Sequence, residues 1–384
     1  MLYPMNISEL SVAEVAQQQA MMALLEDEIR QAGGAIPFDH YMELALYAPG
    51  LGYYVSGAHK FGKGGDFVTA PEISPYFGCC LAHQCHQVLE RAQPQILEFG
   101  AGTGIMAAQI LAELDELEPG RAVSYLILEL SPELQQRQRQ TLQEQIPQLS
   151  DRVEWITEVP QGFSGVVLAN EVLDAMPVHV FRRTPQGLEE QWVSMQEPEL
   201  KLLWRPAQEE LGREVAVIEQ EVGELAPGYV SEVNLRLAPW LQMLGERLAQ
   251  AVVLLIDYGY TRQEYYHRQR NMGTLICHYR HQAHEDVLVR PGLQDITASV
   301  DFSAVAGAAE KAGLHVLGFS SQANFLFGCG LETLLAASNP DAVEQHLVAM
   351  QGVKQLILPT AMGERFKVMA LEKGLDMSLC GFGT

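Results

Sequence analysis

The chain has 384 residues, 48% hydrophobic and 19% charged, which is enough for a large core in one elaborated domain or two. Lys and Arg total 25 against 48 Asp and Glu, a formal net charge of −23 that argues against nucleic-acid phosphates and anionic membranes as partners. A basic protein substrate is compatible with that surface, but solubility alone is the preferred account of it.

Residues 5–31 read as one or two helices stopped at Gly33-Gly34, and 37–46 as a short helix closed by Pro49-Gly50. Residues 57–65, rich in glycine with lysine, read as a loop, and 71–92 as a helix. An apolar strand then runs from Gln95 to Phe99 into Gly100-Ala101-Gly102-Thr103-Gly104, and helical spacing follows over 105–111. Glycines at such a turn permit positive φ and close approach of a ligand to the backbone. The dinucleotide fingerprint is G-x-G-x-x-G, with a pyrophosphate at the helix N-terminus. Here the spacing is G-x-G-x-G with Glu98 just ahead of it. That suits an uncharged nucleoside with an amino-acid tail, such as S-adenosylmethionine. A turn that only packs a helix on a strand is the competing reading.

The next strand, 123–128, ends on Glu129 and Leu130, with Ser131 as N-cap and Pro132 opening a polar helix over 133–145. An acid at the end of the second strand of a nucleotide-binding α/β fold accepts hydrogen bonds from ribose hydroxyls, which assigns that role to Glu129. A third strand over 165–169 ends in Asn170, Glu171 and Asp174, at the rim where open parallel sheets bind ligands. The pattern breaks at Pro177. Residues 178–183, 189–195 and 201–205 alternate as antiparallel strands, and helices follow over 209–218 and 235–250. The apolar run 251–256 reads as a strand buried on both faces and closes on Asp257-Tyr258-Gly259. Residues 261–291 are too long for an ordinary connection and read as a binding loop or lid carrying His278, His281 and His284. Those histidines read as solvent-exposed, with uptake of a released proton as the alternative. Asp301 caps a helix reaching 313, and strands near 315–319 and 366–371 finish the sheet. The alternation specifies an α/β fold, a mostly parallel sheet with helices on both faces. The expected organisation is an N-terminal helical cap with a cofactor-covering loop (1–92), a core (93–177 and 246–384) with a substrate loop at 261–297, and an inserted β/helical subdomain (178–245).

Six cysteines (79, 80, 85, 277, 329 and 380) show no disulfide or zinc spacing, so no metal is expected and a reducing compartment is. Residues 1–6 lack a basic start and an apolar run, an Arg-rich presequence is missing, and no stretch approaches the ~20 apolar residues of a membrane span. The expected location is the cytoplasm. The apolar C-terminal third leaves room for a homodimer surface.

Several blocks together resemble the MidA-like family of class I S-adenosylmethionine-dependent methyltransferases, which includes the mitochondrial complex I assembly-factor methyltransferase. They are Pro49-Gly50-Leu51-Gly52-Tyr53-Tyr54, Gly64-Gly65-Asp66-Phe67-Val68-Thr69-Ala70-Pro71, Asn170-Glu171-Val172-Leu173-Asp174-Ala175-Met176-Pro177, Asp257-Tyr258-Gly259 and Pro291-Gly292-Leu293-Gln294-Asp295-Ile296-Thr297. They cover most of residues 37–330. The resemblance implies a Rossmann-like seven-stranded sheet, S-adenosylmethionine as cofactor, and an arginine side chain on a complex I subunit as substrate.

The expected cofactor contacts are Glu98, Gly100, Gly102, Gly104, Glu129, Leu130 and Asn170, joined by Gly65, Asp66 and Thr69 from the covering segment. Methyl transfer to a nitrogen needs alignment more than covalent catalysis. A guanidinium stays protonated near neutral pH, so carboxylates must grip it and localise its charge. Glu171 and Asp174, one turn apart, are the expected catalytic pair, with Asp257 and Tyr258 beside them at the next strand end. Loop capping is the competing role for Asp174. Two other functional classes remain open: an assembly chaperone that keeps the cofactor as a structural ligand, and a nicotinamide-dependent oxidoreductase.

Overall fold

A computed structural model describes residues 10–56, 69–196, 198–337 and 343–383. The central sheet has eight strands; the two-residue Val300–Asp301 pairs with Gly259 and Tyr260 alone, and the other seven run in one order: β1 (Gln95–Phe99), β2 (Ser124–Leu128), β3 (Val153–Ile156), β4 (Phe163–Asn170), β5 (Leu248–Tyr260), β6 (His315–Ser321) and β7 (Phe366–Lys373). Their spatial order is 3-2-1-4-5-7-6. β7 runs antiparallel to both its neighbours, and the remaining pairs are parallel. The order reverses between β1 and β4, so a crevice opens there beyond their carboxyl ends.

Side chains alternate across the sheet with the period of two that a pleated strand imposes. Ile96, Ile127, Val166, Leu168, Val252 and Leu254 join one core, packed by helices Pro75–Leu89 and Ile105–Leu117. Leu97, Leu126, Val167, Val253 and Leu255 join the other, under helices Leu237–Arg247 and Phe302–Lys311. Burial on both faces explains why the sequence of β5 reads as an unbroken apolar run.

The long helix expected over 71–92 is two, Ala70–Ile73 and Pro75–Leu89, broken at Ser74. Ser74 has extended backbone, the conformation favoured ahead of a proline, and Pro75 opens the second helix. Only residues 237–247 of the helix expected over 235–250 are helical, because Leu248 already belongs to β5.

The inserted strands His179–Thr184, Gly187–Gln196, Glu199–Pro206 and Val230–Val233 form a second sheet, which also takes in the N-terminal strand Ala35–Pro37. The N-terminal helices Val12–Gln31 and Phe38–Tyr47 share its core: Met21, Leu25, Ile36, Tyr41, Val180 and Val193 pack together. His179 lies between the carboxylates of Glu190 (2.8 Å) and Asp39 (3.5 Å), and Arg236 reaches the same Asp39 oxygen at 3.3 Å. These polar contacts fasten the helix Phe38–Tyr47 to the inserted sheet.

The segment 261–297 is not the unstructured loop its length suggests. It holds a short helix, Arg262–Tyr265, and a three-stranded sheet of Ile276–Tyr279, Gln282–His284 and Asp295–Thr297. Arg280 and His281, at φ 46° and 60°, form the two-residue turn of its hairpin. Such turns need positive φ at both central positions and usually advertise themselves by Asn or Gly. Neither is present here.

Candidate active site

A cavity of about 940 Å³ opens at the carboxyl ends of β1, β2, β4 and β5. At its floor Gly100 and Gly102 take φ values of 64° and 51°, a left-handed backbone that side chains rarely adopt. A Cβ on Gly100 would stand 3.2 Å from Val172. Gly104, also left-handed, does not line the cavity. A Cβ there would meet the Cα of Gln138 at 3.2 Å, so the third glycine serves the close packing of two helices and not the cofactor contact expected of it. Ala101, Thr103, Ile105 and Met106 continue the lining, and the Thr103 hydroxyl donates to Glu72 at 2.5 Å.

Glu98 lines the cavity with its carboxylate nearly sealed from solvent, and the Tyr125 hydroxyl donates to it at 2.8 Å. Burial pushes Glu98 up to about 7, opposed by that hydrogen bond. At the end of β2, the Glu129 carboxylate accepts from the Ser131 N–H at 2.9 Å and from Gln138 Nε2 at 3.2 Å. Burial holds Glu129 above the ordinary carboxylate range, although those donors favour its anion. A carboxylate offers about four acceptor positions, so Glu129 keeps capacity for a further donor. Leu130, two-thirds exposed, and Leu134 supply an apolar edge beside Glu129. Thr69, ahead of helix Ala70–Ile73, lines the same space. Gly65 and Asp66, expected to cover the cofactor, lie outside the described residues.

The other end of the cavity is acidic. Glu171 follows β4 at φ 54°, a strained backbone for a residue with a side chain, of the kind that collects at functional sites. Its backbone N–H bonds the Ile256 carbonyl, and Asn170 Nδ2 donates to its carboxylate at 3.2 Å. Burial and the charge of Asp174 raise Glu171 to about 8, and donors from Asn170 and the Ala70 backbone oppose the rise. Asp174 is 5% exposed; burial raises it to about 6 against the Tyr258 hydroxyl and the Ala175 N–H, which favour its anion. Asp174 Oδ1 and Asn170 Oδ1 are buried and have no hydrogen-bond partner among the described residues. Two orphaned acceptors on one cavity mark a place for donors from outside.

Asp257 does not reach the cavity, contrary to the expected catalytic role. Its carboxylate turns inward to accept from the N–H groups of Leu173 (3.0 Å), Asp174 (3.2 Å) and Tyr258 (2.9 Å). It holds the loop that carries Asp174, and burial with the nearby charges of Asp174 and Glu171 pushes it well up. Tyr258 does line the cavity.

Sequence reasoning missed several lining residues. Tyr47 and Tyr54 stack at 5.5 Å between ring centres, and Tyr54 donates to Asp295 at 2.8 Å. Asp295, Thr297 and His278 come from the three-stranded sheet within 261–297, and Arg365 from the turn before β7. His278 is thus half-buried in the site and not solvent-exposed as expected; burial, then His284 and Arg365, lowers its pKa. His281 is exposed and His284 half-buried. These residues sit in blocks with ordinary local patterns, and only the tertiary fold brings them to β4.

Residues 80–320 match the family model for S-adenosyl-L-methionine-dependent methyltransferases. The protein arginine methyltransferase NDUFAF7, mitochondrial, of Danio rerio is 32% identical over 374 residues, 88% of this chain and 84% of the relative. Its Homo sapiens counterpart is 31% identical, covering 88% and 80%. A Burkholderia thailandensis chain, provisionally described as a methyl transferase and crystallised with S-adenosyl-homocysteine, superposes with a TM-score of 0.92 at 43% identity, over 98% of both chains. The cytoplasmic location expected from the sequence is not supported, because both curated relatives are named as mitochondrial proteins. No helix among the described residues is long and apolar enough to cross a membrane. The cavity fits the cofactor these relatives imply: a cradle at Gly100 that a Cβ would fill, a carboxylate ending β2, and an orphaned amide oxygen on Asn170. The nicotinamide reading of the glycine turn falls away. This chain belongs to the MidA-like family of class I S-adenosyl-L-methionine-dependent methyltransferases.

Proposed function

We propose that this enzyme methylates an arginine side chain on a partner protein. S-adenosylmethionine supplies an electrophilic methyl group carried on a sulfonium. In this reading Glu129 accepts the ribose hydroxyls, Gly100 and Gly102 leave backbone space beside the nucleoside, and Asn170 Oδ1 and Glu98 face the amino-acid tail. Leu130 and Leu134 flank the base, and Thr69, with Gly65 and Asp66, belongs to the covering segment. Glu171 and Asp174 accept N–H groups of the guanidinium and draw its charge away from the nitrogen that reacts. With Glu171 raised to about 8, its carboxylate is also basic enough to hold the proton that the guanidinium loses. Tyr258 steadies Asp174, and Asp257 positions the loop beneath it.

One observation carries the reading. Glu171 and Asp174 share a cavity with the glycine turn, are held partly protonated by burial, and include an acceptor with no donor. Carboxylates so placed are costly unless a cation arrives to pair with them. The names of the curated relatives point to the same chemistry. A respiratory-complex subunit is the partner class to examine first. The reading is tested by following labelled methyl from S-adenosylmethionine into the proteins of a lysate, with wild type and Glu171→Gln compared. Label in protein that disappears with Glu171→Gln supports it. Equal label from the two chains, or label only in small molecules, overturns it.

A further inference from the structure

We propose that Asp295, held by Tyr54, is a substrate-positioning residue that grips the guanidinium edge turned away from Glu171. This rests on the arginine reading above. A guanidinium presents five N–H donors in one plane, and a single carboxylate takes two of them in a fork. The remaining donors need acceptors of their own once water is excluded. Glu171 and Asp174 come from the segment after β4. Asp295 comes from a different one, the strand Asp295–Thr297. Residues 295 and 297 share a face of that strand, and both line the cavity.

The strand is fixed in place by several contacts. The Ala298 N–H bonds the Asp174 carbonyl at 3.0 Å, and Ile276, Cys277 and His278 pair with Thr297, Ile296 and Asp295. Tyr54 donates to Asp295 Oδ1 at 2.8 Å, and Tyr47, stacked on Tyr54, donates to the Ala175 carbonyl at 2.9 Å. The tyrosine pair thus spans the space between the loop of Asp174 and the carboxylate of Asp295. A planar cation between them has π faces as well as anions to meet. Asp295 is 3% exposed, and its charge adds to the forces raising Glu171, Tyr47 and Tyr54. A guanidinium bound here meets three carboxylates from two separate segments of the chain, more acceptors than one carboxylate offers.

The test uses the full chain saturated with S-adenosylhomocysteine, and ethylguanidinium as probe with ethylammonium as control. Binding is read by thermal shift and calorimetry. Wild type is expected to bind ethylguanidinium in preference to ethylammonium. Asp295→Asn is expected to weaken ethylguanidinium at least tenfold and to erase that preference, with S-adenosylhomocysteine affinity unchanged. Tyr54→Phe, which keeps the ring and removes the hydroxyl that holds Asp295 Oδ1, is expected to weaken the probe severalfold, and it carries the test if Asp295→Asn does not fold. If wild type binds the probe and both variants bind it equally well, Asp295 has no such role while the arginine reading stands. If wild type shows no preference for ethylguanidinium, the arginine reading and this inference fall together.

Discussion

Replacing Glu171 by Gln removes a charge from the cavity while keeping its shape, and its effect on stability has a definite sign. Burial and Asp174 raise this carboxyl from 4.5 to about 8, so the folded chain binds the proton more tightly than the unfolded one. Stability contributed by the protonated form is complete below pH 4.5 and is lost as pH rises through about 8. Each pH unit in that window is worth about 1.4 kcal/mol, which sets a ceiling of about 5 kcal/mol. Glu171 is partly open to solvent and shares its field with Asp174, which reduces the realised cost to about 1–2 kcal/mol. Glu171→Gln is therefore expected to be more stable than wild type at pH 8 by about 1–2 kcal/mol, a rise in Tm of about 1–3 °C for a chain of this size. The difference should close toward pH 5. Calorimetric or denaturant melts of both chains, without cofactor, at half-unit pH steps measure it. Parallel pH profiles, or a wild type more stable at pH 8, would refute the reasoning. The variant gains stability at the expense of methyl transfer, as expected where function maintains an unfavourable charge.

Gly100→Ala forces a Cβ to within 3.2 Å of Val172 at φ 64° and costs about 1–2 kcal/mol of folding stability, with S-adenosylhomocysteine affinity down at least tenfold by calorimetry. Gly104→Ala strains a helix contact away from the cavity, so its Tm falls while the affinity of the folded protein for S-adenosylhomocysteine stays within about twofold. Asp257→Asn weakens the acceptor for the Leu173 and Asp174 N–H groups; a fall in kcat of about tenfold or more, with cofactor affinity retained, is expected in the methyl-transfer assay. Tyr125→Phe leaves Glu98 without the donor that favours its anion. Glu98 then rises further above about 7, and the variant loses about 1–3 kcal/mol in urea melts at pH 8 and less at pH 6.

The strand ends were legible because burial on both faces leaves long apolar runs in β4 and β5, and each run stops abruptly at polar residues. Glu129, Asn170, Glu171, Asp174 and Tyr258 were found at the cavity by that rule. Proximity in sequence misled at Asp257, whose side chain points to the opposite side from its neighbour, as alternation along a strand requires. It misled again at Gly104, where spacing cannot separate a ligand contact from a close approach of two helices. β3 escaped notice because it is four residues long and only Val153 in it is buried. The strand Ala35–Pro37 is shorter still, and its pairing with Gly187–Gln196 crosses about 150 residues of chain. Asp295, Tyr47 and Tyr54 reach the site through folds of that length, which no local pattern records.

The most direct test of the account is fragmentation mass spectrometry of partner proteins methylated by this chain from deuterated S-adenosylmethionine. The account predicts the heavy methyl on a terminal guanidinium nitrogen of arginine. A heavy methyl confined to lysine, a carboxylate or a hydroxyl would contradict it.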